Sequence, residues 1–211
     1  LSGEVISALH QSTHILQSIG TAKSGNDPLL PLIQPAAPAL QPQWAGYLST
    51  TVVYGDWQGA LVDESAPARS TSTRGLSRLS AEAAWAALGW PLHVFRLAGI
   101  YGPGRNALET VRGGRARIID KPAQVFSRIH VEDIATAVFA SMQAGTATPT
   151  SADIFNVCDD FSCAPGDVIA YACALLNHPV PRPVSMDEAQ LSPMGRSFYA
   201  DNKRASNQKL K

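Results

Sequence analysis

Cysteine is scarce in this chain, and neither sign of charge is in surplus. Among 211 residues there are three cysteines, Cys158, Cys163 and Cys173. Three clustered thiols are too few for the disulfide framework of a small secreted scaffold, and a single five-residue spacing with no second pair argues against zinc. They read as reduced, partly buried thiols. Lys plus Arg and Asp plus Glu each number 17, so formal net charge is zero. An electrostatic nucleic-acid binder carries a basic excess, which excludes that class here. Charged residues make up 16% of the chain, below the roughly 25% of typical domains, while 45% is hydrophobic. Such a chain can bury a sizeable core and is not expected to be disordered. No apolar run approaches the roughly 20 residues of a membrane-spanning helix. The opening LSGEVISALH has no basic stretch leading into an apolar one, so no secretory leader is read there. The expected location is cytoplasmic. No GxGxxG turn and no GxSxG elbow occurs.

What is present is an alternation of strands and helices. Thr13 to Gly20 is a short apolar run stopped by glycine and reads as a buried parallel strand. Asp27 followed by Pro28 starts a helix that Pro35 and Pro38 keep short or broken. Trp44 to Thr50 is the second strand, and a Gly/Asp/Pro-rich loop follows. Arg74 to Leu88 is the clearest helix, with Leu76, Leu79, Ala83, Ala84, Ala87 and Leu88 at helical spacing and Gly89 past its end. His93 to Leu97 is the third strand. Beyond it the pattern predicts a short helix near Asn106 to Arg112, a strand at Arg117 to Ile119 and a helix from His130 to Met142. A strand at Ile154 to Val157, a helix from Pro165 to Leu176 and a polar, helical tail from Ala200 complete the reading. Strands alternating with helices imply βαβ units, and so an α/β fold with a parallel sheet. Ligands on such sheets bind at the carboxyl ends of the strands, here Ser18–Gly20, Ser49–Thr51 and Ala98–Ile100.

Four segments in order carry a more specific signal: LSTTVVYGD, RGLSRLSAE, FRLAGIYGPGRN and RIHVEDIA. Together they resemble the extended short-chain dehydrogenase/reductase superfamily, the NAD-dependent epimerase/dehydratase group. They are most similar to an atypical bacterial branch that keeps the fold and alters the active site; the ending SPMGRSFYADNKRASNQKL fits the same branch. The resemblance implies a Rossmann-like sheet with a smaller C-terminal lobe. It implies a cofactor, NAD or NADP, and a small-molecule substrate, with a homodimer as an option and no nucleic acid or membrane as partner. Residues 1–113 would be the remaining dinucleotide-binding part. Residues 114–211 would be mostly the smaller lobe, with about 129–158 returning to the sheet.

Residue by residue, the resemblance assigns Thr50 to the catalytic Ser/Thr position. Arg74 falls where the family has its proton-exchanging Tyr, and Arg78 where it has the Lys that holds the nicotinamide ribose. An Arg stays protonated at ordinary pH and cannot exchange a proton as a tuned Tyr can, although Arg78 can still donate to a ribose or phosphate. Tyr54 and Tyr101 are weighed as replacement acids against purely structural roles. Ser18, Ile19, Gly20, Ser49, Thr50, Arg78, Ala98, Gly99 and Ile100 form the implied cofactor-binding set. The diphosphate-gripping Arg of many nucleotide-sugar enzymes is replaced by Phe126, with an Arg at 128 instead. Asp133 reads as a first-turn carboxylate on a helix dipole, not as a metal ligand. Thr13–Gly20 matches the family's fourth strand, which places a first βαβαβ portion, on the order of 60–70 residues, before Leu1. Two functions stay open: an NAD(P)-dependent oxidoreductase or epimerase-like enzyme, and a non-catalytic nucleotide-binding sensor or interaction module.

Overall fold

The computed structural model describes residues 2–22, 25–144 and 152–211. The elements follow in chain order. They begin with α1 (Gly3–Gln11), β1 (His14–Gln17), α2 (Leu30–Ile33), β2 (Trp44–Thr50), β3 (Leu61–Val62) and α3 (Thr73–Ala86). Next come β4 (Leu92–Leu97), β5 (Gly99–Tyr101), α4 (Ala107–Arg112), β6 (Ile118–Ile119), β7 (Arg128–His130) and α5 (Val131–Gln143). The chain finishes with β8 (Asp153–Val157), α6 (Pro165–Leu175), β9 (Pro183–Val184), α7 (Pro193–Phe198) and β10 (Arg204–Ala205).

Strands β1, β2, β4 and β8 form one parallel sheet in that order. The two central strands are buried almost throughout, because helices cover both faces. Strand β1 alternates instead: Ile15 and Gln17 are buried, while His14 and Leu16 are exposed. The buried strand expected over Thr13 to Gly20 is therefore a shorter, half-buried edge strand, and Ser18–Gly20 lie just past its end.

Side-chain alternation along β2 builds the two layers. Tyr47 points to the α3 side and stacks on Trp85 at 6.1 Å, and Trp85 meets Trp90 edge-on. Trp44 points to the other side, where Phe95 and Leu97 pack with Ile134 and Val138 of α5. The Trp44 indole donates to Ser141 Oγ of α5 at 3.0 Å. Gly46 shares that face: a Cβ there would stand 2.2 Å from the Trp44 ring, so only glycine lets the indole lie flat over the strand. Fully burying a side chain such as Phe95 stabilises the fold by about 1.5–3 kcal/mol.

One local expectation holds with a physical cause. Asp27 Oδ1 accepts from the amides of Leu29 and Leu30 at 2.8 and 3.0 Å, so it caps the turn ahead of α2. Its other oxygen accepts from the Trp85 indole at 2.8 Å, which ties α2 to α3. The expected helical tail is corrected. Arg204–Ala205 is extended and pairs in parallel with Leu61–Val62, because Arg204 N donates to Ala60 O and Ser206 N to Val62 O. The loop after β2 thus contains a strand, and its partner is the tail. Among the described residues, no helix is long and apolar enough to cross a membrane.

Candidate active site

The site is built at the carboxyl edge of the sheet. Because the strands are parallel and in register, the ends of β1, β2 and β4 stand side by side, with Gln17 beside Tyr47 and Thr50 beside Leu97. Gly20, Thr50 and Gly99 therefore share one edge.

Strand alternation sends Ser49 and Thr50 opposite ways. Ser49 is buried, and its hydroxyl donates to Glu82 of α3 in a very short hydrogen bond. Glu82 in turn holds the buried Arg96 of β4 in a two-point ion pair, at 3.2 Å to Nε and 2.7 Å to Nη2. The guanidinium carbon of Arg96 lies 4.8 Å from the centre of the Tyr54 ring. The Tyr54 hydroxyl donates to Asn156 Oδ1 at 2.8 Å, and Asn156 N donates to Glu64 at 2.6 Å. This chain of polar groups runs beneath the strand ends from α3 to β8. Ser49 meets it with its side chain, so of the last two residues of β2 it is Thr50 whose hydroxyl is left at the strand end. Thr50 Oγ1 accepts from Val52 N at 3.3 Å, capping the 3-10 turn Thr51–Tyr54 and leaving its own proton free to be donated.

Helix α3 begins with Ser72 as its N-cap and packs tightly there. Arg74 and Arg78 lie one turn apart on one face. Arg78 Nη1 donates to Tyr47 Oη at 3.0 Å and to Leu48 O at 3.1 Å. Its Nη2 lies 3.5 Å from where a Gly20 Cβ would stand, so the guanidinium bridges the ends of β1 and β2. Arg78 Nε is buried and has no hydrogen-bond partner. Burial pushes the Tyr47 hydroxyl above its usual range, against the opposing pull of Arg78. Arg74 stands further out, with its guanidinium 5.6 Å from the Phe198 ring of α7.

On the third strand end, Ala98 is buried and Gly99 is exposed. A Cβ at Gly99 would come within 3.3 Å of Ser127 O. Arg128 borders this position and reaches Phe126 O and Cys163 Sγ, each at 3.3 Å. Neither candidate acid stands free at Thr50. Tyr54 is wholly buried and bonded to Asn156. Tyr101 is hydrogen-bonded to Asp159 and lies edge-on to His130 at 5.2 Å. Burial and Asp159 both raise its proton affinity. His130 itself caps α5, accepting from Glu132 N at 3.3 Å.

No protein-family profile matches the chain, and no curated protein matches it either. Solved structures do. A functionally unknown conserved protein from Silicibacter pomeroyi is 50% identical, with a TM-score of 0.84 over 94% of this chain and 70% of its own. A dTDP-glucose 4,6-dehydratase from Streptomyces venezuelae, with NAD and TYD bound, superposes with a TM-score of 0.75 at 15% identity over 99% of this chain and 69% of its own. A UDP-glucuronic acid 4-epimerase from Bacillus cereus, in complex with NAD, gives 0.74 at 15% identity over 97% and 69%. The chain belongs to the Silicibacter protein's family, and its fold is that of the NAD-dependent epimerases and dehydratases.

In this epimerase/dehydratase-like chain, the structure brings together Gly20, Ser49, Thr50, Arg78 and Ala98–Ile100, with Arg74 on the rim. Sequence reasoning did not find the interior pair Glu82 and Arg96. The signal was a Glu four residues after Arg78 on the same helix face, read only as part of a motif. A cavity of about 660 Å³ lies elsewhere, between β4, β8 and α5, lined by His93, Phe95, Phe155, Ala140 and Leu210 among others. None of the strand-end residues lines it.

Proposed function

We propose that this chain forms the nicotinamide-side wall of an NAD(P) site, and that the protein moves a hydride between nicotinamide and an alcohol or ketone carbon. The observation that carries the proposal is the alignment of Gly20, Thr50 and Gly99 on one edge, with Arg78 bridging the chain at Gly20 and the Leu48 carbonyl of β2. The residues present fit this part of the cofactor. The buried, unpartnered Nε of Arg78 is a donor awaiting an acceptor, and a ribose hydroxyl is one. The small run Ala98–Ile100 lets the backbone approach a flat ring closely. When bound, the nicotinamide supplies the hydride donor or acceptor. Thr50 donates its free proton in a hydrogen bond to the substrate oxygen and polarises the reacting carbon. Arg74 holds charge at the rim and exchanges no proton.

A second reading, a nucleotide-binding sensor without turnover, is favoured by the same Arg74, since the family's proton donor is replaced there. Calorimetric titration with NAD and with NADP tests the shared basis. Binding of one of them is expected, and binding of neither overturns both readings. A screen of alcohols and ketones, followed by the absorbance of reduced nicotinamide, separates the two. Turnover that falls on the order of a hundredfold in Thr50→Ala supports the enzyme. No turnover with any substrate class, alongside tight nucleotide binding, supports the sensor.

A further inference from the structure

Strand β1 stops pairing early. Its ladder with β2 ends at Gln17 beside Tyr47, while β2 runs on to Thr50 beside β4. Ser18–Gly20 has therefore left the sheet, and its backbone needs partners from elsewhere. One comes from the residue just before it. Gln17 is 1% exposed, and its Oε1 accepts from the Ile19 amide at 2.5 Å. The same side chain donates through Nε2 to Asp27 Oδ2 at 3.2 Å, with Oδ1 at 3.5 Å. Gly20 follows at once, and Arg78 Nη2 lies 3.5 Å from where its Cβ would stand.

Asp27 is what orients that amide. It is 8% exposed, and four donors converge on it: the Leu29 and Leu30 amides, the Trp85 indole and Gln17 Nε2. Both of its oxygens act as acceptors there. A primary amide carries a donor on one side and an acceptor on the other. Because Asp27 takes the donor side of Gln17, the acceptor side must face Ile19. Capping α2 does not require this arrangement, since Oδ1 alone meets Leu29 and Leu30. Core packing does not require it either. An apolar side chain at position 17 would fill the same space with no buried polar group to satisfy.

Resting on the nicotinamide reading of the strand ends, we propose that Gln17 and Asp27 are positioning residues for the cofactor. The carboxylate of Asp27 sets the Gln17 amide, the amide holds Ile19, and Ile19 holds the Ser18–Gly20 turn against which the nicotinamide half sits. Both residues act through the backbone of that turn, and with the turn in place Gly20 keeps its spacing from Arg78. The relay has a direction. An amide in place of the carboxylate at position 27 presents a donor to Gln17. The Gln17 side chain must then turn over, and its own NH2 group meets the Ile19 N–H.

The test reads two quantities in one set of full-chain variants: affinity for NAD or NADP by calorimetry, and exchange of the Ile19 amide by magnetic resonance. Asp27→Asn and Gln17→Met should each weaken the nucleotide about tenfold, as expected for a backbone donor left unpaired. The Ile19 amide should exchange fast in both. Gln17→Met leaves the Asp27 contacts to Leu29, Leu30 and Trp85 in place, so it reads the relay even where Asp27→Asn folds poorly. Combining Gln17→Glu with Asp27→Asn restores the polarity, because the new carboxylate accepts from both the Ile19 amide and the side-chain amide at position 27. This double variant should recover nucleotide affinity and Ile19 protection. It should not recover the stability lost at Trp85, whose indole still lacks its acceptor. Val111→Ala, in the cluster between α4 and α6, lowers stability elsewhere and should leave nucleotide affinity unchanged. Ile19 exchange unchanged in both single variants, or a double variant no better than Asp27→Asn, overturns the relay. Fast Ile19 exchange with nucleotide affinity intact overturns its role for the cofactor. Wild-type protein that binds neither NAD nor NADP sinks the nicotinamide reading and the cofactor role with it, and Ile19 exchange then decides alone whether Asp27 holds the turn.

Discussion

Replacing Glu82 by Ala removes the one carboxylate that, among the described residues, forms an ion pair with Arg96. The two side chains are 5% and 9% exposed, and the guanidinium is held at two points, 3.2 and 2.7 Å. Without Glu82, Arg96 becomes a buried, uncompensated charge, and the Ser49 hydroxyl loses its acceptor. Breaking a buried pair from one side costs about 3–5 kcal/mol, a large part of the roughly 5–15 kcal/mol that holds a domain folded. Urea unfolding followed by tryptophan fluorescence reads this directly, because Trp44 and Trp85 are buried beside the same strands. With a urea slope of about 3 kcal/mol per molar, the midpoint should fall by at least about 1 M. Replacing the whole cluster with apolar residues (Glu82→Leu, Arg96→Met and Ser49→Ala together) should recover most of that loss, since no charge is then stranded. A midpoint shift near zero in Glu82→Ala would refute the reasoning. A triple variant as unstable as the single one would refute it too, since the cost would then lie in packing.

Burial pushes the Cys158 thiol up to about 12, aided by Asp159, and its sulfur donates to Ala205 O at 3.2 Å. Iodoacetamide at pH 8 should therefore leave Cys158 unmodified in the folded protein and alkylate it after unfolding, while the partly exposed Cys163 reacts in the native state; mass spectrometry of the peptides decides. The sign for stability follows. The folded-state value lies above the unfolded one, so this contribution is complete below about pH 9 and is lost as pH rises toward 12, at up to about 1.4 kcal/mol per pH unit. A Cys158→Ala variant should lack that slope. Gly75→Ala should destabilise by about 1–3 kcal/mol although alanine favours helix, because its Cβ would stand 2.0 Å from Ser70 Oγ. Ser70→Gly should relieve much of the cost in a double-mutant cycle, and additive effects would count against this contact.

Legibility in the sequence followed the range of the interactions. Strand β2 was readable over Trp44–Thr50 because a central strand covered on both faces is an uninterrupted apolar run bounded by polar residues. Helices α3 and α5 were readable within about two residues because their caps, Ser72 and His130, and their apolar spacing are local. Among the short strands, β6 was expected at Arg117 to Ile119 and is found at Ile118–Ile119, but others were not legible. Leu61–Val62 and Arg204–Ala205 are held by hydrogen bonds between segments more than 140 residues apart, and two-residue runs carry no periodicity of their own. Helix α7 was missed for the opposite reason: Pro193 and Gly195 look like a loop, yet Pro starts the helix and Ser192 caps it. At the site, order along the chain was enough to place Thr50 and Gly99 at the ends of neighbouring strands, with Arg78 on the helix that connects them. It was not enough to say that Ser49 turns inward to Glu82 while Thr50 turns out, because that depends on which face of β2 meets α3.

The two arginines of α3 stand one turn apart in different surroundings. Spacing by four residues places both on one face, so both must point toward the sheet's carboxyl edge. The inner one, Arg78, has a strand carbonyl and a tyrosine hydroxyl within reach and can do what any fixed cation does there. The outer one, Arg74, has none, and its guanidinium leans on Phe198 from the C-terminal part of the chain. A tyrosine at that place would offer a proton that can leave; an arginine offers a charge that stays. Proton exchange and charge anchoring place opposite demands on a side chain, since one needs a group that titrates and the other a group that does not. If the proposed hydride transfer runs on this edge, Thr50 is the group that polarises the substrate oxygen, and Arg74 brings a fixed charge and no proton.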